Sequence, residues 1–177
     1  MTGQAPPERT EDGRYLVVGG RRWRASDPGI PDPLRQELVD GLMDARRAVG
    51  AAKRADDADA ERGARDRVQA AKVALGERGH PWWEAPTEDS RRTRLEAAVL
   101  ALSRKRAPDK SICPSDAARA VGGDTWRDDM DLARTVVREL AGAGDVEVLQ
   151  KGVAVPADGE WKGPIRVRYS GGRPGHA

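Results

Sequence analysis

The hydrophobic pattern of the C-terminal half changes once, from a helical period to a strand period, and this change limits the folds open to the chain. In "TWRDDMDLARTVVRELAGAG" the apolar residues recur at steps of three and four, as on one face of an amphipathic helix. They are Trp126, Met130, Ala133, Val137 and Leu140. The segments "DVEVLQKG" and "PIRVRY" then alternate, which predicts antiparallel strands with one buried face. We therefore expect a mainly α, mixed α+β fold with the Trp126 ring turned inward.

Two shorter helices and a very short β-prone run precede this unit. "SRRTRLEAAVLALSRKRAP" predicts a helix ended by Pro108, and "KSIC" predicts a very short strand. In "CPSDAARAVGG" we expect Cys113 at the N-cap, Pro114 at the first helical position and the Gly122-Gly123 pair at the end. The order helix, short strand, short helix, long helix, strand, loop, strand is that of a winged helix, in which a β-hairpin follows a helix-turn-helix.

The same half carries a family resemblance. "ICPSDAARAV", "TWRDDMDLARTVVRELAGAGDVEVLQKG" and "GPIRVRY" resemble a small bacterial domain family of unknown function with a winged-helix-like fold. The shared features are a Cys/Ser-Pro-Ser helix start, a Trp, a Met, an Arg before a Leu and a Gly, and then QKG and GPIR. The resemblance covers roughly residues 91–169. It implies a winged-helix-like domain there and carries over no functional residues.

The N-terminal half predicts a β-hairpin followed by a helical hairpin. "RYLVVGGRRWRAS" contains two β-prone runs joined by Gly19-Gly20, a turn that needs positive φ, and Trp23 is expected to face inward. Apolar residues at helical spacing then predict one helix from about Asp32 and a second from about 57 to 78, ended by Gly79. "RRWRA", "ARRAV" and "AKVALGERGHPWW" also resemble small uncharacterised proteins of GC-rich bacteria, some of which carry the label biopolymer transporter Tol.

These patterns give a two-part organisation. The expected parts are a disordered tail over 1–12, a β-hairpin plus antiparallel helical hairpin over 13–84, a linker over 85–90, a winged-helix-like domain over 91–169 and a flexible tail over 170–177. The narrow, alanine-rich seam between the two N-terminal helices makes a homodimer conceivable.

The composition narrows the classes of function. Cys113 is the single cysteine, which excludes an internal disulfide and a zinc site built from several cysteines. No stretch approaches the ~20 apolar residues of a membrane span, and the N-terminus lacks the apolar core of a signal peptide, so we expect a cytoplasmic protein without membrane contact. Acid–base groups are scarce outside surface carboxylates, and we expect neither an enzyme nor a cofactor or metal.

Two adjacent tryptophans, Trp82 and Trp83, stand out in a chain with no phenylalanine. They follow the predicted second helix and should lie near the open end of the helical hairpin. Adjacent side chains in extended backbone point in opposite directions, so we expect one ring to be buried and the other exposed to a partner. Trp161, in the loop between the last two strands, is expected to cover the β-hairpin rather than to stack on a ligand.

The charge distribution leaves two kinds of partner open. Residues 90–177 carry 16 basic and 12 acidic side chains, a net of +4. A winged helix would bind double-stranded DNA through its long helix and its wing. The candidate contact residues are Arg127, Arg134, Arg138, Lys151, Lys162, Arg166 and Arg168. Asp128, Asp129 and Asp131 oppose this interpretation because carboxylates at the start of that helix repel phosphates. The alternative is a protein–protein adaptor that uses the helical hairpin and an exposed tryptophan.

Overall fold

A computed structural model describes residues 7–171, and residues 1–6 and 172–177 lie outside the described part. The fold is mainly α with two small sheets, as predicted. The elements are β1 Glu8–Arg9, β2 Tyr15–Val18, β3 Arg21–Arg24, α1 Asp32–Arg54, α2 Ala58–Ala74, α3 Glu88–Arg106, α4 Pro114–Gly122, a 3-10 helix Gly123–Asp129, α5 Met130–Ala143, β4 Val146–Gln150, β5 Val153–Val155 and β6 Arg166–Tyr169.

The N-terminal sheet has three antiparallel strands in the order β1-β2-β3. Gly19 and Gly20 connect β2 to β3 with φ of 56° and 73°, the positive values that the tight turn requires. Two expectations fail here. Residues 8–9 are not disordered, because they pair with Leu16 and Val17 of β2. Trp23 does not face inward but is 49% exposed, since only part of its ring lies against α2.

Helices α1 and α2 form the predicted antiparallel hairpin. The second helix ends earlier than expected, at Ala74, and Gly76 rather than Gly79 is the glycine just past its end. Gly76 has φ of 76°, and the amides of Gly76 and Glu77 donate back to the carbonyls of Val73 and Lys72. This Schellman arrangement satisfies the last helical carbonyls and turns the chain into the segment that carries the paired tryptophans.

The C-terminal sheet contains the predicted pairing and one strand more. Strand β4 pairs antiparallel with β6, with Val148 opposite Val167. It also pairs with β5, in a stretch expected to be a loop. Lys151 and Gly152 connect β4 to β5 with φ of 50° and 81°, which makes a two-residue hairpin turn. Lysine seldom adopts positive φ, so this turn has little local signal in the sequence.

Trp126 lies on the 3-10 helix rather than on α5, which begins only at Met130. Its ring packs against the core on one side and is half-buried. The guanidinium groups of Arg119 and Arg127 lie 4.7 and 4.6 Å from its ring centroid. The inward orientation expected for this ring is therefore partial, because two arginines cover the rest of it.

One hydrophobic core joins the two predicted parts of the chain. It includes Leu34 and Leu38 of α1, Leu75 after α2, Leu95 of α3 and Val167 of β6. The stretch expected as a linker is a loop that ends at the N-cap of α3, where the Thr87 side chain accepts from the amide of Ser90. Residues 85–90 connect two helices of this core and do not separate two cores.

Candidate nucleic-acid interface

Two of the predicted DNA-contact residues hold a loop of the protein itself. Arg134 and Arg138 lie one turn apart on α5, beside the loop 156–165 that connects β5 to β6. Arg134 donates to the carbonyls of Trp161 at 2.8 Å and Gly163 at 3.3 Å. Arg138 donates to the carbonyl of Gly159 at 2.9 Å. Both guanidinium groups therefore satisfy backbone carbonyls and are not aimed at an external ligand.

The ring of Trp161 completes this arrangement. It is 7% exposed, its N–H donates to the carbonyl of Pro156 at 2.9 Å, and the guanidinium of Arg138 lies 4.1 Å from its centroid. Trp161 thus covers the sheet as expected. Together with Arg134 and Arg138 it fixes the loop against the outer face of α5, the face that a recognition helix would need to keep free.

Of the acidic residues on and just before α5, two pair with arginines of α3 and two are exposed. Asp129 is buried and accepts from Arg91 of α3 at 2.9 Å. Glu139 accepts from Arg92 at 2.7 Å. Asp131 and Asp128 remain exposed. The first turns of α5 therefore show uncompensated carboxylates to solvent, which disfavours the approach of a phosphate backbone from this side.

Of the remaining predicted cations, Arg127 covers Trp126, and the others lie on or beside the C-terminal sheet. Arg166 and Arg168 are two residues apart on β6, so their side chains point to the same face, away from the core residue Val167. Both are exposed. Lys151 stands at the β4–β5 turn, two residues beyond Leu149, the partner of Arg166 in the ladder. Arg166 and Arg168 therefore line one face of the sheet, and Lys151 stands at its β4–β5 turn.

A fourth cation, Lys110, lies beside the serine to which Arg166 donates. The guanidinium of Arg166 donates to the hydroxyl of Ser111 at 3.1 Å and to the carbonyl of Ser111 at 2.7 Å. Lys110 precedes this serine and is exposed. Sequence reasoning missed Lys110, because only the bridge between Ile112 and Val167 places this segment beside β6. We call Lys110, Lys151, Arg166 and Arg168 the sheet-face cluster.

The acidic neighbours of these cations are few and exposed. Arg168 pairs with Glu147, directly opposite on β4, with the Nε–Oε2 distance at 3.1 Å. The two side chains are 45% and 37% exposed. Lys162, in the loop, lies 3.4 Å from Glu160, and both are more than four-fifths exposed. Exposed ion pairs of this kind contribute ~0–1 kcal/mol to stability. Arg168 and Lys162 can therefore exchange their glutamate partners for a phosphate.

Another arginine of this half is fully committed to the fold. Arg106 at the end of α3 donates to both carboxylate oxygens of Glu37 on α1, at 2.8 and 2.9 Å, and to Asp116 at 2.8 Å. The hydrogen bonds that it donates to Glu37, with the charge of Asp116, raise the pKa of this guanidinium above its usual value. Arg106 therefore clamps α1 to α4 and is not available to a ligand.

The paired tryptophans pack in a way that differs from the expected split. Both are half-buried. The indole N–H of Trp82 donates to the carbonyl of Ala25 at 3.0 Å. Trp83 meets the ring of Tyr15 edge-on, with centroids 5.6 Å apart, and the guanidinium groups of Arg14 and Arg24 lie 5.1 and 5.4 Å from its centroid. The two rings tie the N-terminal sheet to the end of α2, and neither is a freely exposed contact.

A cavity of about 510 Å³ lies beside Trp82. Two internal ion pairs border it, one between Arg91 and Asp129 and one between Arg94 and Asp27, the latter at 2.8 Å. Arg94 also donates to backbone carbonyls before and after the predicted boundary, at Ala74 (3.2 Å) and Ala120 (3.4 Å). The polar groups deepest in this cavity are therefore paired with one another, and their role is to join the two halves of the fold.

Within residues 7–171 no group of three or more His, Cys, Asp and Glu side chains could hold a metal ion. No helix of the described part is long and apolar enough to cross a membrane.

Comparison with known proteins finds a similarity for the C-terminal half of the chain. No curated protein matches the chain. Residues 92–170 match the model of a family described as "Protein of unknown function (DUF3253)". This stretch runs from the first turns of α3 to just after β6, close to the 91–169 expected from the sequence. The C-terminal half of the chain is therefore similar to an uncharacterised domain family, as its motifs indicated.

Proposed function

We propose that the protein is a non-enzymatic binding module that associates with nucleic acid through a winged-helix-like unit formed by α3 to β6. The order of these elements supports the proposal: three helices are followed by an antiparallel sheet, and the segment before α4 contributes a bridge to that sheet. The hairpin of β4 and β5 and the return strand β6 would correspond to the wing.

The observation that carries the proposal is the sheet-face cluster. Its four cations come from three separate segments and are exposed, and in residues 7–171 their one ion pair joins Arg168 to Glu147. The long helix α5 contributes no cation to this surface, because Arg134 and Arg138 hold the loop 156–165. Arg166 also donates to the protein, but its partner Ser111 belongs to this surface and its side chain stays exposed. The contact surface in this proposal is therefore the wing rather than the outer face of α5.

Such a surface binds phosphates and reads shape rather than base sequence. Lysine and arginine side chains on a strand face can each displace one condensed counterion from the backbone, which makes the affinity strongly dependent on salt. The guanidinium of Arg166 is oriented by Ser111, so less side-chain entropy is lost when it meets a phosphate. We expect weak sequence preference and a preference for duplex over free nucleotides.

The test is a salt series of binding to a labelled 20-base-pair duplex of random sequence, followed by fluorescence anisotropy. Each phosphate contact contributes about 0.9 to the slope of log K against log salt. The variant Lys151→Ala/Arg166→Ala/Arg168→Ala should therefore reduce that slope by about 2.7 if all three side chains meet phosphates. A matched control, Lys53→Ala/Arg62→Ala/Arg67→Ala, removes three exposed cations from the helical hairpin.

The control variant should keep the wild-type slope. Absence of binding to the duplex at low salt would refute the proposal. An equal loss of slope in both triple variants would refute the assignment of the sheet face, because the effect would then follow from net charge alone.

A further inference from the structure

Strand β3 is a free edge of the N-terminal sheet. In the order β1-β2-β3 its outer side has no neighbouring strand. Val18 and Arg21 flank the two-residue turn, so they form a hydrogen-bonded pair, and pairs of this kind alternate along an antiparallel ladder. The amide and carbonyl groups of Arg22 and Arg24 therefore point away from β2. Neither residue's backbone has a hydrogen-bond partner elsewhere in residues 7–171.

Exposed apolar side chains lie along this edge. Trp23 and Val18 are 49% and 53% exposed, two of the largest apolar exposures in the described part. The Trp23 ring is supported from beneath by Lys72 of α2, whose Nζ lies 5.6 Å from the ring centroid. Exposed tryptophan beside arginine is the combination that most often provides binding energy at protein interfaces.

The charge at this edge is positive and one-sided. Strand β3 carries three arginines, and the side chains of Arg21 and Arg22 have no hydrogen-bond or ion-pair partner in the described range. The acidic residues of the same sheet lie on β1 and the β1–β2 turn, at the opposite edge. They are Glu8, Glu11 and Asp12. An incoming chain at β3 would meet the guanidinium groups of Arg21 and Arg22 and no carboxylate of the sheet, while that of Arg24 donates to the carbonyl of Gly79 at 2.8 Å.

We propose that the β3 edge binds an extended, acidic segment of a partner protein, which adds to the sheet as a fourth strand. The backbone groups of Arg22 and Arg24 would supply the hydrogen bonds. Alternate side chains of the segment would meet Trp23 on one face and the guanidinium group of Arg22 on the other. Charged side chains on an edge also keep copies of the same chain from pairing, so the added strand must carry the opposite charge.

A peptide fits this edge better than a nucleic acid does. A strand offers alternating N–H and C=O groups at the spacing of the free groups on β3, and a sugar-phosphate backbone does not. The arrangement is also separate from the sheet-face cluster, which belongs to the other sheet of the molecule. The inference therefore does not depend on the proposed nucleic-acid contact.

The experiment measures binding of a fluorescein-labelled, capped peptide of four Asp-Val repeats to the full chain by anisotropy. A Lys-Val peptide of the same length is the charge control, and a labelled 12-residue oligo-dT is the nucleic-acid probe. The Asp-Val peptide should bind, and Trp23→Ala should weaken it about 30-fold, the effect of losing a hot-spot tryptophan. Arg62→Ala, an exposed substitution on α2, should leave the affinity unchanged.

A backbone test separates strand addition from simple charge attraction. Arg22→Pro removes an amide that points away from β2, so the β2–β3 ladder keeps all its hydrogen bonds. It should bind the peptide about five-fold more weakly than Arg22→Ala, which removes only the side chain. Because a proline variant can fail to fold, hydrogen exchange on the unmodified protein provides the same information: the amides of Arg22 and Arg24 should become protected when the peptide is added.

Three outcomes would overturn the inference. In the first, the Asp-Val peptide does not bind at millimolar concentration. In the second, the peptide binds but the amides of Arg22 and Arg24 are not protected. In the third, oligo-dT binds more tightly than the peptide and Trp23→Ala weakens that binding. The last result would show that this edge is a nucleic-acid surface instead.

Discussion

Removal of the Arg94 side chain should destabilise the whole fold, because this arginine joins its two halves. Its guanidinium and the carboxylate of Asp27 are each 14% exposed and lie 2.8 Å apart. Two further hydrogen bonds reach the carbonyls of Ala74 and Ala120. Arg94→Ala leaves a buried carboxylate and two carbonyls without their donor, and breaking a buried pair in this way costs about 3–5 kcal/mol.

The assay is urea unfolding at neutral pH, followed both by tryptophan fluorescence and by far-UV circular dichroism. Arg92→Ala is the matched control, because its partner Glu139 is 57% exposed and the loss should stay below about 1 kcal/mol. The paired change Arg94→Met/Asp27→Asn should recover part of the stability, since no uncompensated charge remains. Both probes should report one transition, as expected for a single core.

Two results would refute this reasoning. If Arg94→Ala costs no more than Arg92→Ala, the pair is not buried as described. If fluorescence and circular dichroism give separate transitions in the unmodified protein, the two halves unfold independently and the shared core is not a cooperative unit.

Three further predictions concern single sites. In thermal or urea melts Gly76→Ala should destabilise the protein more than Gly79→Ala does, by at least about 1 kcal/mol. Both glycines have positive φ, but a Cβ at Gly76 would lie 3.1 Å from Trp82 and 3.2 Å from Asp27, whereas a Cβ at Gly79 would have no atom within 4 Å. Equal losses would contradict the packing. Trp161→Ala should lower the free energy of unfolding by about 3–5 kcal/mol, because the ring is buried. It should also release the loop 156–165, so that the amides from Gly159 to Gly163 exchange faster with solvent; unchanged exchange rates would contradict this prediction. Burial lowers the pKa of the Lys72 ammonium, so the unfolded chain holds this proton to higher pH than the folded chain does. The stability of the unmodified protein relative to Lys72→Met should therefore rise as the pH increases toward 10.5, the ordinary lysine pKa, and a flat difference across pH 7–10 would contradict it.

The sequence predicted the elements whose apolar residues recur regularly. The Met130-to-Leu140 stripe and the alternation in β4 and β6 are local signals that report burial on one face directly, and the Gly-Gly turn is a local signal of positive φ. These signals were sufficient for the fold class and for the β4–β6 pairing. The third strand of the same sheet was missed, because Val153 to Val155 is short and its turn relies on Lys151 in an unusual conformation.

The candidate site was less predictable, because the sequence shows which residues are charged but not where their charges are satisfied. Arg134 and Arg138 have the spacing of groove-reading residues, yet both bind carbonyls of a loop about 20 to 30 residues further along the chain. Trp23 alternates with arginines as an inward residue should, but the sheet is so small that α2 covers only part of the ring. Such partners are set by long-range packing, and local periodicity carries no information about them.

The proposed interface places nucleic acid on the outer face of the C-terminal sheet and not on the outer face of α5. The most direct test is to record amide chemical shifts of the labelled protein while a 12-base-pair duplex is added. We predict shifts confined to the sheet-face cluster and its neighbours, at residues 110–111, 147–151 and 166–168. Shifts centred instead on the exposed residues of α5, from Asp131 to Glu139, or no shifts at low salt, would contradict it.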